Sequence, residues 1–152
     1  MSSVEECLYL ETDSSCANCG FRDNRALTIH HIDKAKSKNR AYDNLILLCH
    51  NCHHCLNENK GLSDEDIKVL KRRLIIKTLT QLGLNAMKEA YRKGCVVATP
   101  FLVNHLIELQ YLKYADKISS FSDDETNTIV DINAIYTLTE EGKRLLEKWN
   151  LK

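Results

Sequence analysis

The sequence predicts an α+β chain in two parts: a small cysteine-stapled module over residues 1–60 and a mainly helical domain behind it. Three observations predict this. Five of the six histidines and five of the seven cysteines lie between Cys16 and Cys55. Two β-type runs, Leu27–Asp33 and Asp43–Leu48, fall inside that same segment. Beyond Gly61 the apolar residues recur at helical three- and four-residue spacing.

The composition, 43% hydrophobic and 28% charged with one proline and five glycines, is that of a folded chain. With 152 residues it has room for one ordinary domain or two small ones. Residues 1–19 carry four acids and no base. Met1–Glu11 therefore lacks the basic start of a signal peptide, and no apolar run reaches the ~20 residues of a membrane span. The expectation is a cytoplasmic chain with no membrane association. Net charge is zero, but residues 20–60 hold seven bases against four acids.

An odd number of cysteines cannot pair completely, and a reducing compartment keeps thiols free, so a disulfide framework is a poor reading. Cys16-Ala-Asn-Cys19-Gly20 and Cys49-His-Asn-Cys52 are two Cys-x-x-Cys knuckles. Four thiolates so arranged suit one tetrahedral Zn2+ with no open position, a structural site whose binding energy becomes folding energy. Buried free thiols or a redox pair are the alternative. Cys7, Cys55 and Cys95 lack partners at ligand spacing.

Between the knuckles, Leu27-Thr-Ile-His30-His31-Ile32-Asp33 places two histidines side by side. Adjacent strand residues point to opposite faces, so the two cannot play the same part unless the strand twists or ends there. Additional zinc ligands or surface residues are the bland readings of such histidines. Asn44 opens the apolar run that enters the second knuckle, and His53 follows its last cysteine.

The order Cys-x-x-Cys, His-His, Asn-Leu, Leu-Cys-x-x-Cys-His resembles the HNH (ββα-metal) endonuclease family over residues 14–60. The resemblance implies that His30 and His53 bind one catalytic divalent cation, whether Mg2+, Mn2+, Ni2+ or Zn2+. It makes His31 the general base and Asn44 the residue that orients it, through its amide or nearby backbone. Histidine, with an ordinary pKa of about 6.5, suits that proton transfer. Asn57, one helical turn beyond His53, is a candidate accessory group at the metal or the phosphate. DNA is the implied partner, and Lys34, Lys36, Lys38 and Arg40 are candidate backbone contacts, with a solvated loop as the alternative. HNH members often have glycine or proline in this loop, and this chain has neither.

Residues 61–78 predict a connecting helix. Ser63 is its N-cap, acids fill its first turn, and Ile67, Leu70, Leu74 and Ile75 form its apolar face, with Lys71, Arg72 and Arg73 facing elsewhere. Over 79–152 a helix closes at Gly94 and a second runs from Thr99-Pro100 to Leu112. A strand, an acidic loop (Ser119–Thr126), a second strand (Ile129–Tyr136) and a last helix (Thr139–Trp149) follow. That order is similar to a winged-helix domain. The helix Thr99–Leu112 carries no arginine, and the wing would contain Ser122-Asp123-Asp124-Glu125, which repels phosphate. A homodimer or protein partner is therefore expected there in preference to DNA. The functional expectation is a metal-dependent endonuclease of a phage, mobile-element or defence system; the alternative is a zinc-stabilised DNA-binding or regulatory protein with an inactive site.

Overall fold

A computed structural model describes residues 3–36, 38–123, 125 and 128–152, with the backbone alone at 119–123 and 128–132. It is mixed α and β, and it divides into two compact units, Met1–Thr78 and Leu79–Lys152.

The first unit holds α1 (Ser3–Glu11), β1 (Leu27–His31), β2 (Leu45–Cys49) and α2 (His50–Asn57). It also holds the first half of α3 (Asp64–Lys93), whose helical geometry breaks at Thr80 (φ 62°, ψ 163°). β1 and β2 pair antiparallel, with His30 opposite Ile46 and His31 opposite Leu45. Every residue of β2, Leu-Ile-Leu-Leu-Cys, is buried. This strand is the centre of a core completed by Cys16, Leu27, Leu56, Leu62 and Ile67. Leu70 and Leu74 pack against that core, so the helix after Gly61 belongs to its packing. Lys71, expected to face elsewhere, is fully buried. Its ammonium meets Glu11 at 3.0 Å, a partner sixty positions away that helical periodicity cannot reveal.

The second unit holds the rest of α3, then β3 (Val96–Ala98), α4 (Pro100–Glu108), β4 (Leu112–Asp123), β5 (Thr128–Leu138) and α5 (Glu140–Lys148). Its sheet has the order β3-β5-β4, antiparallel throughout. α4 stops at Glu108, four residues short of the expected end. Gln110 turns into the left-handed region (φ 62°), and the Tyr111 N–H returns to the Leu106 carbonyl at 2.8 Å. α2 and α5 end in the same way on Asn59 and Asn150. β4 runs on through 119–123, because an antiparallel ladder is made of backbone groups and needs no apolar side chains. Of the expected acidic loop Ser119–Thr126, residues 124 and 126 lie outside the described residues, as does 127 after it.

Among the described residues, no helix is long and apolar enough to cross a membrane.

Candidate functional site

The two cysteine pairs converge. The Sγ atoms of Cys16, Cys19, Cys49 and Cys52 lie within 4.8 Å of one another, a donor set that fits one structural zinc ion. Local backbone explains how they meet. Gly20 (φ 74°) turns the first knuckle so that its N–H reaches the Cys16 carbonyl at 2.9 Å, and Ala17 N–H bonds Leu47 O at 2.9 Å, tying the knuckle to β2. Cys49 ends β2 and caps α2, its sulfur accepting the Cys52 N–H at 3.5 Å. Burial pushes the Cys16 thiol up, but backbone N–H groups of Cys19, Cys49 and Asn18 outweigh it and bring it down to about 7. Burial pushes the Cys52 thiol up to about 12, against a hydrogen bond from Asn18 Nδ2 at 3.4 Å. Asn18 escaped sequence reasoning, although its place inside the knuckle, where a side-chain donor can face sulfur, was a usable signal.

The histidines form a second cluster. His30 is buried (5% exposed) and His31, next along β1, is half-buried, as the alternation of a strand requires. His53, in the first turns of α2, sets its ring against His30 with centroids 5.1 Å apart, edge to face. The Nε2 atoms of both His30 and His31 are buried without a hydrogen-bond partner. A buried imidazole nitrogen with no protein partner fits a metal ligand, which holds for His30 and equally for His31, while His53 is brought to the site by its ring contact with His30. Burial first, then the neighbouring His53, lower the His30 pKa from 6.5 to about 4, which keeps the ring neutral and able to donate a lone pair.

Asn44 is buried (1% exposed) at the end of a one-turn 3-10 helix, Tyr42–Asn44, immediately before β2. Its Oδ1 accepts the Asp33 N–H at 2.9 Å, and its Nδ2 donates to the carbonyls of Asn39 (3.1 Å) and Lys36 (3.3 Å). Its own carbonyl accepts the Ile32 N–H at 2.8 Å. The side chain thus clamps both ends of the loop that leaves His31, acting on backbone.

Asn57 is exposed, and its Nδ2 lies 3.5 Å from His53 Nδ1 while its Oδ1 accepts from Lys34 Nζ at 3.3 Å. Of the other loop bases, Arg40 pairs with Glu5, Lys36 pairs with Asp33 at 3.5 Å, and Lys38 is exposed. His50 and His54 are exposed.

The model of the HNH endonuclease family matches residues 16–59, which contain both clusters. No curated protein and no solved structure matches the chain significantly.

Proposed function

Starting from residues 16–59 as an HNH module, which marks a nuclease of that family, we propose that the chain is a metal-dependent endonuclease hydrolysing DNA phosphodiester bonds. The observation that carries this is the facing pair His30 and His53, with the unpartnered Nε2 of His31 beside it. His30 and His53 hold the catalytic ion, and Asn57 completes its surroundings or meets the phosphate. A bound divalent ion supplies Lewis-acid neutralisation of charge at the phosphate and the leaving oxygen. His31 takes the proton of the attacking water, and Asn44 sets its position by fixing the loop that begins at Ile32. Lys34, Lys38 and, once released from their ion pairs, Lys36 and Arg40 hold the sugar-phosphate backbone without reading sequence.

We assign residues 1–60 to the nuclease module, 61–78 to a connecting helix that also packs on it, and 79–152 to a winged-helix-like domain that recruits a second copy or a protein partner. The helix, strand, helix, hairpin, helix order of the second unit supports that likeness. A small cutting module joined to an interaction domain suits a phage, mobile-element or defence nuclease working in the cytoplasm.

A second reading is a zinc-stabilised DNA-binding or regulatory protein with an inactive site; the ion pairs of Lys36 and Arg40, which reduce the free positive charge available to a phosphate backbone, favour its regulatory form. Plasmid cleavage with Mg2+ or Mn2+ by the wild type and by His31→Ala separates the two.

A further inference from the structure

The first unit buries a polar cluster that the proposed chemistry does not use. Glu11, at the end of α1, and Lys71, on α3, form an ion pair at 3.0 Å with both side chains wholly out of solvent. The second carboxylate oxygen of Glu11 accepts from the Tyr42 hydroxyl and from Thr78 Oγ1 at 3.3 Å. The Lys71 ammonium also lies 3.6 Å from the centroid of the Tyr42 ring. Burial first, then the neighbouring Glu11, push the Tyr42 hydroxyl well above its ordinary range, so it keeps its proton and donates.

A buried ion pair is poor evidence for stability, since well-packed apolar residues of similar volume are often as stable or more so. What this one does is geometric. Both members of the pair contact Tyr42, Glu11 through the hydroxyl and Lys71 over the ring, and Tyr42 is the first residue of the turn Tyr42-Asp43-Asn44, whose three residues are 2%, 0% and 1% exposed. The third is Asn44, whose amide and carbonyl hold Asp33, Ile32, Lys36 and Asn39. Neither Glu11 nor Lys71 lies in the matched segment 16–59.

We propose that Tyr42 is a positioning residue: its hydroxyl, fixed by the buried Glu11–Lys71 pair, holds the turn from which Asn44 clamps the backbone just after His31. The inference rests on the nuclease reading for its meaning, but its geometry can be measured without cleavage. It makes α1 and the start of α3 working parts of the site, although neither carries a residue that touches substrate.

The test uses the full chain loaded with one equivalent of zinc. Tyr42→Phe keeps the ring beneath Lys71 and removes only the hydroxyl. Backbone amide exchange, read by NMR, should accelerate about tenfold or more at Ile32 and Asp33 while the paired amides of β1 and β2 are unchanged. Cleavage should lose roughly ten- to a hundredfold in kcat with KM unmoved, the scale expected when a reacting group is displaced by about an ångström. Unchanged exchange at Ile32 and Asp33 in a variant that keeps its zinc overturns the proposal. Should Tyr42→Phe fail to hold zinc, the paired change Glu11→Gln with Lys71→Met carries the test, because it weakens the acceptor for the hydroxyl without leaving a buried charge unpaired: faster exchange confined to the same two amides supports the proposal, and exchange that is unchanged or faster everywhere overturns it. A wild type that never cuts DNA overturns the nuclease reading instead, and the exchange data still decide the role of Tyr42.

Discussion

The rings of His30 and His53 meet edge to face at 5.1 Å, one reaching from a strand and the other from the helix that follows its partner strand. The contact brings together two imidazoles, one of them buried. The four thiolates form a closed donor set of their own, within 4.8 Å of one another and without either histidine.

The closed set governs folding. Cys49→Ser removes one of the four thiolates but leaves a hydroxyl oxygen that can still accept the Cys52 N–H and cap α2, so the loss it reports is that of the metal site. Structural zinc in small peptides is worth roughly 10 kcal/mol or more, which a unit this small cannot replace from its own core. The variant should contain no zinc and lose the NMR dispersion of residues in β1, β2 and α2, while His31→Ala keeps both. Metal analysis beside a heteronuclear spectrum checks it.

Burial of His30 should make stability depend on pH. Its pKa in the folded chain is about 4, against 6.5 when unfolded. Between those values the unfolded chain binds a proton that the folded chain does not, so stability falls as pH drops from about 6.5 to about 4 and levels off below. The loss is on the order of 3 kcal/mol at most. Urea titrations of wild type and His30→Gln, each with one equivalent of zinc, isolate it: the wild type should lose more over that window, because protonation of the thiolates is common to both.

Asn44→Ala should strip the Asp33 N–H and the carbonyls of Lys36 and Asn39 of their partner. A buried group left unsatisfied costs ~1–3 kcal/mol. Asn44→Asp keeps the acceptor for Asp33 but turns a buried carboxylate oxygen toward the carbonyls of Lys36 and Asn39, so at neutral pH its denaturation midpoint should lie at or below that of the alanine variant.

In the second unit, Gly142 admits no side chain. An added Cβ would lie 2.4 Å from the Tyr111 carbonyl oxygen and 2.8 Å from Leu138 Cδ1. Gly142→Ala should destabilise by about 1–3 kcal/mol or more, since backbone must move to admit it, and differential scanning calorimetry should show a lowered transition.

Spacing made much of the site legible. Two Cys-x-x-Cys units, a histidine pair and Asn44 ahead of a knuckle are short-range patterns, and their geometry follows from knuckle and strand stereochemistry. What stayed hidden depends on long-range pairing. Glu11 and Lys71 each look like solvated charges, and only the fold that brings α1 against α3 makes them a buried pair. α1 has apolar residues at Val4, Cys7, Leu8, Tyr9 and Leu10, but Leu10 is exposed and Leu8 alone of them is fully buried, so its pattern is weak. The end of α4 was blurred for a local reason: Gln110 takes a left-handed position where glycine would have announced a stop.

The central claim is that His31 abstracts the proton while His30 and His53 hold an ion. It is tested most directly by single-turnover plasmid cleavage with saturating Mn2+, comparing wild type with His31→Ala of equal zinc content. The account predicts that the variant cuts ~10²–10⁴ times more slowly while still binding the second metal ion. Equal rates for the two proteins would contradict it.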